Sequence, residues 1–200
     1  MTPQIKSKKR VSEHGEVFTN PREVIAMLNM VQQEAADINS TFLEPACGNG
    51  NFLSEILMRK LKSVEQLYKN NSWLYFINLL RAVASIYGID IQDDNVKETK
   101  ERLYNLTSSR CSRLLAQKIP AEIQKAIQMI LNRNIQCGNT LTFSDSSQKP
   151  ILISEWDIDD KLCITRKDYD YRMMVETGCE TNPVCVYPKI QIVLSKIQVA

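Results

Sequence analysis

Apolar positions along the chain follow two periods, and the alternation between them sets out its elements. After a basic opening, Val24, Met27, Leu28 and Val31 recur at helical spacing. Asn20 is placed to cap this helix, Pro21 suits its first position, and Glu23 at the third completes a capping box. "TFLEP" (41–45) is a short apolar run ended by proline and reads as a strand. Helical spacing returns in "NFLSEILMRKLKSVEQLY", through Phe52, Ile56, Leu57 and Leu61, and again in "WLYFINLLRAVAS". "IYGIDI" (86–91) is the second strand. Asp93 or Asp94 is expected to cap the helix "NVKETKERLYNL", Pro120 opens "PAEIQKAIQMILNRN", and "IQCGNTLTF" (135–143) is the third strand.

Strand, helix, strand, helix, strand predicts a parallel α/β sheet up to about residue 143. "FSDSSQKP" is a polar break. Beyond it "ILISEWDI" and "KLCITRKDY" flank two aspartates and predict an antiparallel hairpin. The chain thus divides into a basic arm with an N-terminal motif (1–19), an α/β ligand-binding domain (20–145), a hairpin (146–172) and a tail (173–200). In the tail, "IQIVLSKIQV" reads equally as a strand or as a segment that docks on a partner. No internal repeat is visible.

Composition narrows the classes. Two hundred residues, 44% hydrophobic and 24% charged, suit one globular domain with a substantial core. No stretch approaches the roughly 18 apolar residues of a membrane helix. The basic opening precedes no apolar signal core, so a cytoplasmic location is expected. The six cysteines are scattered without a CxxC pair, which speaks against a zinc site or a disulfide framework and for reduced thiols. A net charge of +2 does not demand nucleic acid. The cluster "KSKKR" (6–10) is either a solvated, frayed terminus or a phosphate contact. His14, the only histidine, sits beside Gly15 in an expected loop near the mouth of the site; without a second histidine it supports neither a metal site nor a triad. Cys47 has no base beside it in sequence and is not read as a nucleophile.

The corner "TFLEPACGNGNFL" (41–53) carries the chemistry. In a parallel α/β sheet, ligands sit at the carboxyl ends of the strands. Gly48 and Gly50 let the chain turn sharply and let a ligand approach the backbone, and amides opening the next helix point at it. A dinucleotide loop would need a third glycine where Leu53 stands. Glu44, just before the loop, disfavours a pyrophosphate and favours a cationic ligand. Asp90 at the second strand tip can accept ribose hydroxyls, against its ordinary reading as a turn or cap acid. Asn139 after the third strand can read an adenine edge, against its reading as a turn asparagine. Together the three tips describe a pocket for an adenosine with an amino-acid tail.

"FLEPACGNGNFL" resembles the S-adenosylmethionine-binding motif of the amino-methylating DNA methyltransferases of restriction–modification systems. "HGEVFTNPREV" resembles the motif that precedes it in the γ-type order of those enzymes. The resemblance spans about residues 10–145. It implies a partial Rossmann-like methyltransferase fold, three-layered and mostly parallel, with a C-terminal hairpin added. It implies that Phe18, Thr19, Glu44, Ala46, Cys47 and Gly48 hold the methionine end, with Gly50 in the same loop. Asp90 would bind the ribose, Ile91 would pack on the adenine, and Asn139 would meet its amino group. The chain departs from the family in Asn139, where an aspartate is usual, and in a long interval between Gly50 and Asp90 that makes "WLYFINLL" a candidate insertion.

The family's catalytic motif, a polar residue followed by Pro-Pro and an aromatic, is absent. The nearest string, "TNPVCVY", has Val184 and Cys185 where the second proline and the aromatic belong. In the family, the glycine-loop strand neighbours the catalytic strand, so its edge is expected to be filled by the hairpin, by "IQIVL" or by a partner. The resemblance therefore implies the cofactor-binding subunit of a split adenine-N6 methyltransferase, with a second chain bringing catalysis and target recognition, DNA bound through the complex, and neither metal nor membrane involved. The alternatives are a non-catalytic methyltransferase-like module, and an autonomous methyltransferase with another substrate that uses Trp156 or the hairpin tyrosines as a platform.

Overall fold

A computed structural model describes residues 5–116, 118–178 and 181–194. In chain order the elements are α1 (Lys8–His14), α2 (Pro21–Asn29), α3 (Gln32–Ala36), β1 (Phe42–Glu44), α4 (Asn51–Tyr68), α5 (Ser72–Ala84), β2 (Ile86–Asp90), α6 (Asp93–Leu115), α7 (Ala121–Asn134) and β3 (Ile135–Cys137). They are followed by β4 (Leu152–Ile158), β5 (Cys163–Asp170), α8 (Tyr171–Thr177), β6 (Cys185–Val186) and β7 (Ile190–Gln191). The protein is α/β: β1, β2 and β3 form a parallel sheet in that order, and β4 to β7 form a separate antiparallel sheet.

The register pairs Phe42 with Ile86 and Glu44 with Gly88 on one side of β2, and Gly88 with Ile135 and Asp90 with Cys137 on the other. Parallel strands bury both faces, and every residue of β2 is buried. On one face, Gly88 lies so close to α4 that a Cβ there would stand 2.7 Å from Leu53 Cδ1 and 3.1 Å from Cys47 Sγ. On the other face, Tyr87 and Ile89 pack with Ile151, Ile153 and Tyr171. The antiparallel sheet is thus the second cover of the parallel one. The Tyr87 hydroxyl donates to Ser154 O at 2.7 Å. Asn134 ties three elements together: its Nδ2 donates to Ala84 O and Ile86 O, and its Oδ1 accepts from Trp156 Nε1 at 2.7 Å.

The hairpin has the predicted strands, with Leu152 opposite Asp170 and Ile158 opposite Ile164. At its turn, Asp159 Oδ1 accepts from the amides of Lys161 and Cys163. "IQIVL" does not reach β1: Ile190 and Gln191 pair with Ile164 and Cys163 on the outer side of β5. Among the described residues, β1 is therefore paired on one side only. Helix α5 is core, with Tyr75, Phe76, Ile77, Leu79 and Leu80 all 0–1% exposed; a helix apolar on all sides must be enclosed.

Several boundaries differ from the sequence reading. The cap of α2 is simpler than a capping box: Asn20 Oδ1 accepts from Arg22 N, and Glu23 only donates its amide to Asn20 O. Met27 and Val31 are exposed, while Val24 and Leu28 carry the packing. Asp93 and Asp94 lie inside the first turn of α6, whose cap position is Gln92. β3 stops at Cys137 because Asn139 turns the chain, its Oδ1 accepting from Leu141 N at 2.9 Å and its backbone bridging Ser144. The basic arm is a helix, and His14 closes it instead of lying in a loop. Two of its cations are engaged within the fold: Lys6 pairs with Asp94 and Glu98, and Arg10 with Asp94 and Glu16. No helix among the described residues is long and apolar enough to cross a membrane.

Candidate functional site

The loop between β1 and α4 is held from three sides. Cys47 N donates to Ile89 O at 2.9 Å, Gly48 N to Asp90 Oδ2 at 2.8 Å, and Thr99 Oγ1 to Gly48 O at 3.0 Å. Gly48 and Gly50 adopt left-handed backbone, with φ of 52° and 81°, a region that costs other residues. A Cβ on Gly50 would also stand 2.8 Å from the Thr99 side chain, and one on Gly48 would press on the Phe18 ring at 3.2 Å. The loop is thus pinned to the tip of β2 and roofed by the arm.

Beside it lies an open cleft of about 390 Å³ at the carboxyl ends of the parallel strands. Six residues expected at a ligand site, Phe18, Ala46, Gly48, Asp90, Ile91 and Asn139, line it. They come from the arm, the glycine loop, the β2 tip and the turn after β3. Thr19, Glu44, Cys47 and Gly50 do not form its wall. The Thr19 carbonyl accepts from Asn51 Nδ2 at 2.9 Å, and Cys47 is buried behind the loop. Burial pushes the Cys47 thiol up to about 12, reinforced by the charges of Asp90 and Glu44, so it is a packing group. Glu44 ends β1 half-buried, and burial raises its pKa against the Ala46 amide. It makes no ion pair among the described residues.

Asp90 is 8% exposed and makes three hydrogen bonds. Oδ2 accepts from Gly48 N; Oδ1 accepts from Gln92 N at 2.8 Å and Asn95 Nδ2 at 3.2 Å. Ile91, 54% exposed, and Leu141, 88% exposed, give the cleft an apolar rim. Because the Leu141 amide must meet an acceptor, the Asn139 side chain turns its oxygen inward to that turn and keeps its NH₂ for other partners.

Sequence reading missed Thr99, Asn95 and Glu16. Thr99 and Asn95 lie within a largely polar helix, where they share the buried face with Val96 and Leu103 but carry no apolar signal of their own. Glu16 follows Gly15, a left-handed residue closing α1, with Gly15 N bonded to Val11 O and Glu16 N to Arg10 O. Glycine after an SEH run is a helix stop, and that signal was available. The Trp156 indole N–H is bonded to Asn134 and its half-buried ring packs on the main core. The described residues contain no group of three or more potential metal ligands.

Comparisons with protein-family models, with curated proteins and with solved structures gave no match.

Proposed function

We propose that the protein is the S-adenosylmethionine-binding subunit or fragment of a DNA adenine-N6 methyltransferase and acts with a partner chain. One observation carries this reading. Phe18, Ala46, Gly48, Asp90, Ile91 and Asn139, far apart in sequence, meet around one cleft at the parallel strand tips, where ligands of such sheets bind.

The chemistry of the walls supports the same ligand. Asp90 offers a carboxylate for ribose, and Ile91 an apolar surface for a base. Glu44 is a half-buried carboxylate without a cationic partner among the described residues, adjacent to the loop that would receive an ammonium group. When bound, the donor supplies an electrophilic methyl group. The chain's own residues would orient it, the glycine loop and Glu44 at one end and Asp90 and Asn139 at the other. Catalysis would then rest on alignment of a flipped adenine amino group, with no covalent enzyme intermediate. The residues that hold that amino group would come from the partner, because the catalytic motif is absent from this chain and β1 has one unpaired edge among the described residues. An unpaired edge is a template for a strand from another chain.

The test is calorimetric titration of the purified chain with S-adenosylmethionine and S-adenosylhomocysteine, beside an Asp90→Ala variant. Saturable binding by the wild type, lost in a folded variant, supports the reading. A well-folded wild type that binds neither compound overturns it for the isolated chain and favours the non-catalytic module.

A further inference from the structure

Resting on the adenosine-site reading, we infer that Glu16, carried by the N-terminal arm, is a second ribose-binding carboxylate that shares the diol with Asp90. A carboxylate has about four lone-pair sites. Asp90 has given three of them to Gly48 N, Gln92 N and Asn95 Nδ2, so one remains for a ligand. A ribose in a nucleoside presents two vicinal hydroxyl donors. Asp90 cannot accept both while it keeps the glycine loop in place.

Glu16 supplies the missing acceptor. It lines the same cleft, and its side chain is 8% exposed. Its Oε1 accepts from Arg10 at 2.6 Å and from Asn95 Nδ2 at 2.7 Å. Its Oε2, like Nε of Arg10, is buried and has no hydrogen-bond partner among the described residues. A buried carboxylate oxygen left in that state calls for a donor, and Glu16 is a wall residue of the cleft, so a small movement of its side chain brings Oε2 to a ligand there. Asn95 bridges the two acids, donating to Glu16 and to Asp90, so the carboxylates are held side by side. The left-handed turn at Gly15 and the ion pairs of Arg10 and Lys6 with the first two turns of α6 keep the arm in register with β2. Arg10, which also pairs with Asp94, offsets part of the charge of Glu16, and Oε2 remains a hydrogen-bond acceptor for a neutral hydroxyl.

The deciding experiment titrates S-adenosylhomocysteine and its 2′-deoxy and 3′-deoxy analogues into the wild type, Glu16→Ala and Glu16→Gln. A charge-assisted hydrogen bond lost in a closed site weakens binding about ten- to hundredfold. We expect a loss of that size for each deoxy analogue on the wild type and for the parent ligand on Glu16→Ala. Glu16→Gln, which preserves shape and the contacts of Oε1, gives an intermediate loss in a protein with unchanged circular dichroism. In both variants, one of the two deoxy analogues binds as well as the parent within a few-fold, because its absent hydroxyl is the one Glu16 received. Variants that bind all three ligands like the wild type, or that lose the same factor for both hydroxyls, overturn the role of Glu16 and leave the adenosine site standing. A wild type that binds no S-adenosylhomocysteine removes both.

Discussion

The Asp90 carboxylate accepts a hydrogen bond from the Gly48 amide at 2.8 Å, joining the tip of β2 to the glycine loop that follows β1. The two residues are separated by α4 and α5, so the contact closes the site across two helices. It also gives Asp90 a structural duty beside any ligand-binding one.

Asp90→Ala is therefore expected to cost stability as well as affinity. It strands the amides of Gly48 and Gln92, and a buried donor without a partner costs about 1–3 kcal/mol. Urea unfolding should show a lower midpoint at unchanged m-value. Wild-type stability would show that water satisfies these amides and that Asp90 has no structural part.

Gly50→Ala meets two penalties: a left-handed φ of 81° and a Cβ 2.8 Å from Thr99. Overpacking of this kind costs about 1–3 kcal/mol. The pair Gly50→Ala with Thr99→Ser, which removes the obstructing methyl, should recover part of it. A double variant no more stable than the single one would assign the loss to backbone strain and to the Thr99 hydroxyl, 2.9 Å from the added Cβ.

Lys60 gives the protein a pH-dependent stability. Fully buried in α4, its ammonium donates to the carbonyls of Asp37 and Ser40 at 2.5 Å and lies 5.3 Å from the Phe42 ring. Burial pulls its pKa down to about 8 from 10.5. Between those values the unfolded chain holds the extra proton, so stability rises with pH from about 8 upward and is flat below, by this group alone. Chemical unfolding from pH 7 to 9.5 should show the rise in the wild type and not in Lys60→Met. A fall over that window, specific to Lys60, would mean that the carbonyls hold the proton more strongly than burial expels it.

Cysteine reactivity should divide by burial. Burial pushes the thiols of Cys47 and Cys111 up to about 12, whereas Cys137 and Cys185 are partly exposed. Native alkylation at pH 8, mapped by mass spectrometry, should leave Cys47 and Cys111 unmodified until denaturant is added. Early modification of Cys47 would show that the glycine loop opens.

Asn139→Asp tests the sense of the hydrogen bond at the base. The Leu141 amide holds the side-chain oxygen, so asparagine presents a donor to the cleft and aspartate would present an acceptor. If an adenine amino group lies there, the aspartate variant binds S-adenosylhomocysteine about tenfold more tightly, the worth of one such bond. Weaker binding would place a base acceptor at Asn139 instead.

Most of the elements were legible along the chain because each carries a local signal. The 3.6-residue period marked α4 and α7, proline ended the β1 run, and paired aspartates marked the hairpin turn. The strand tips followed from strand order, so Gly48, Asp90 and Asn139 could be picked out before any coordinates. What a local pattern does not encode is which surfaces meet. "IQIVL" looks like a strand in any register, and only packing put Ile190 beside Ile164 on β5 and left one side of β1 unpaired among the described residues. Glu16, Asn95 and Thr99 are polar residues whose importance comes from burial against partners up to 89 positions away. Hydrophobic periodicity is a property of neighbours in sequence and survives in the string. The satisfaction of a buried polar atom depends on distant groups brought within 3 Å or so, and only the folded chain determines it.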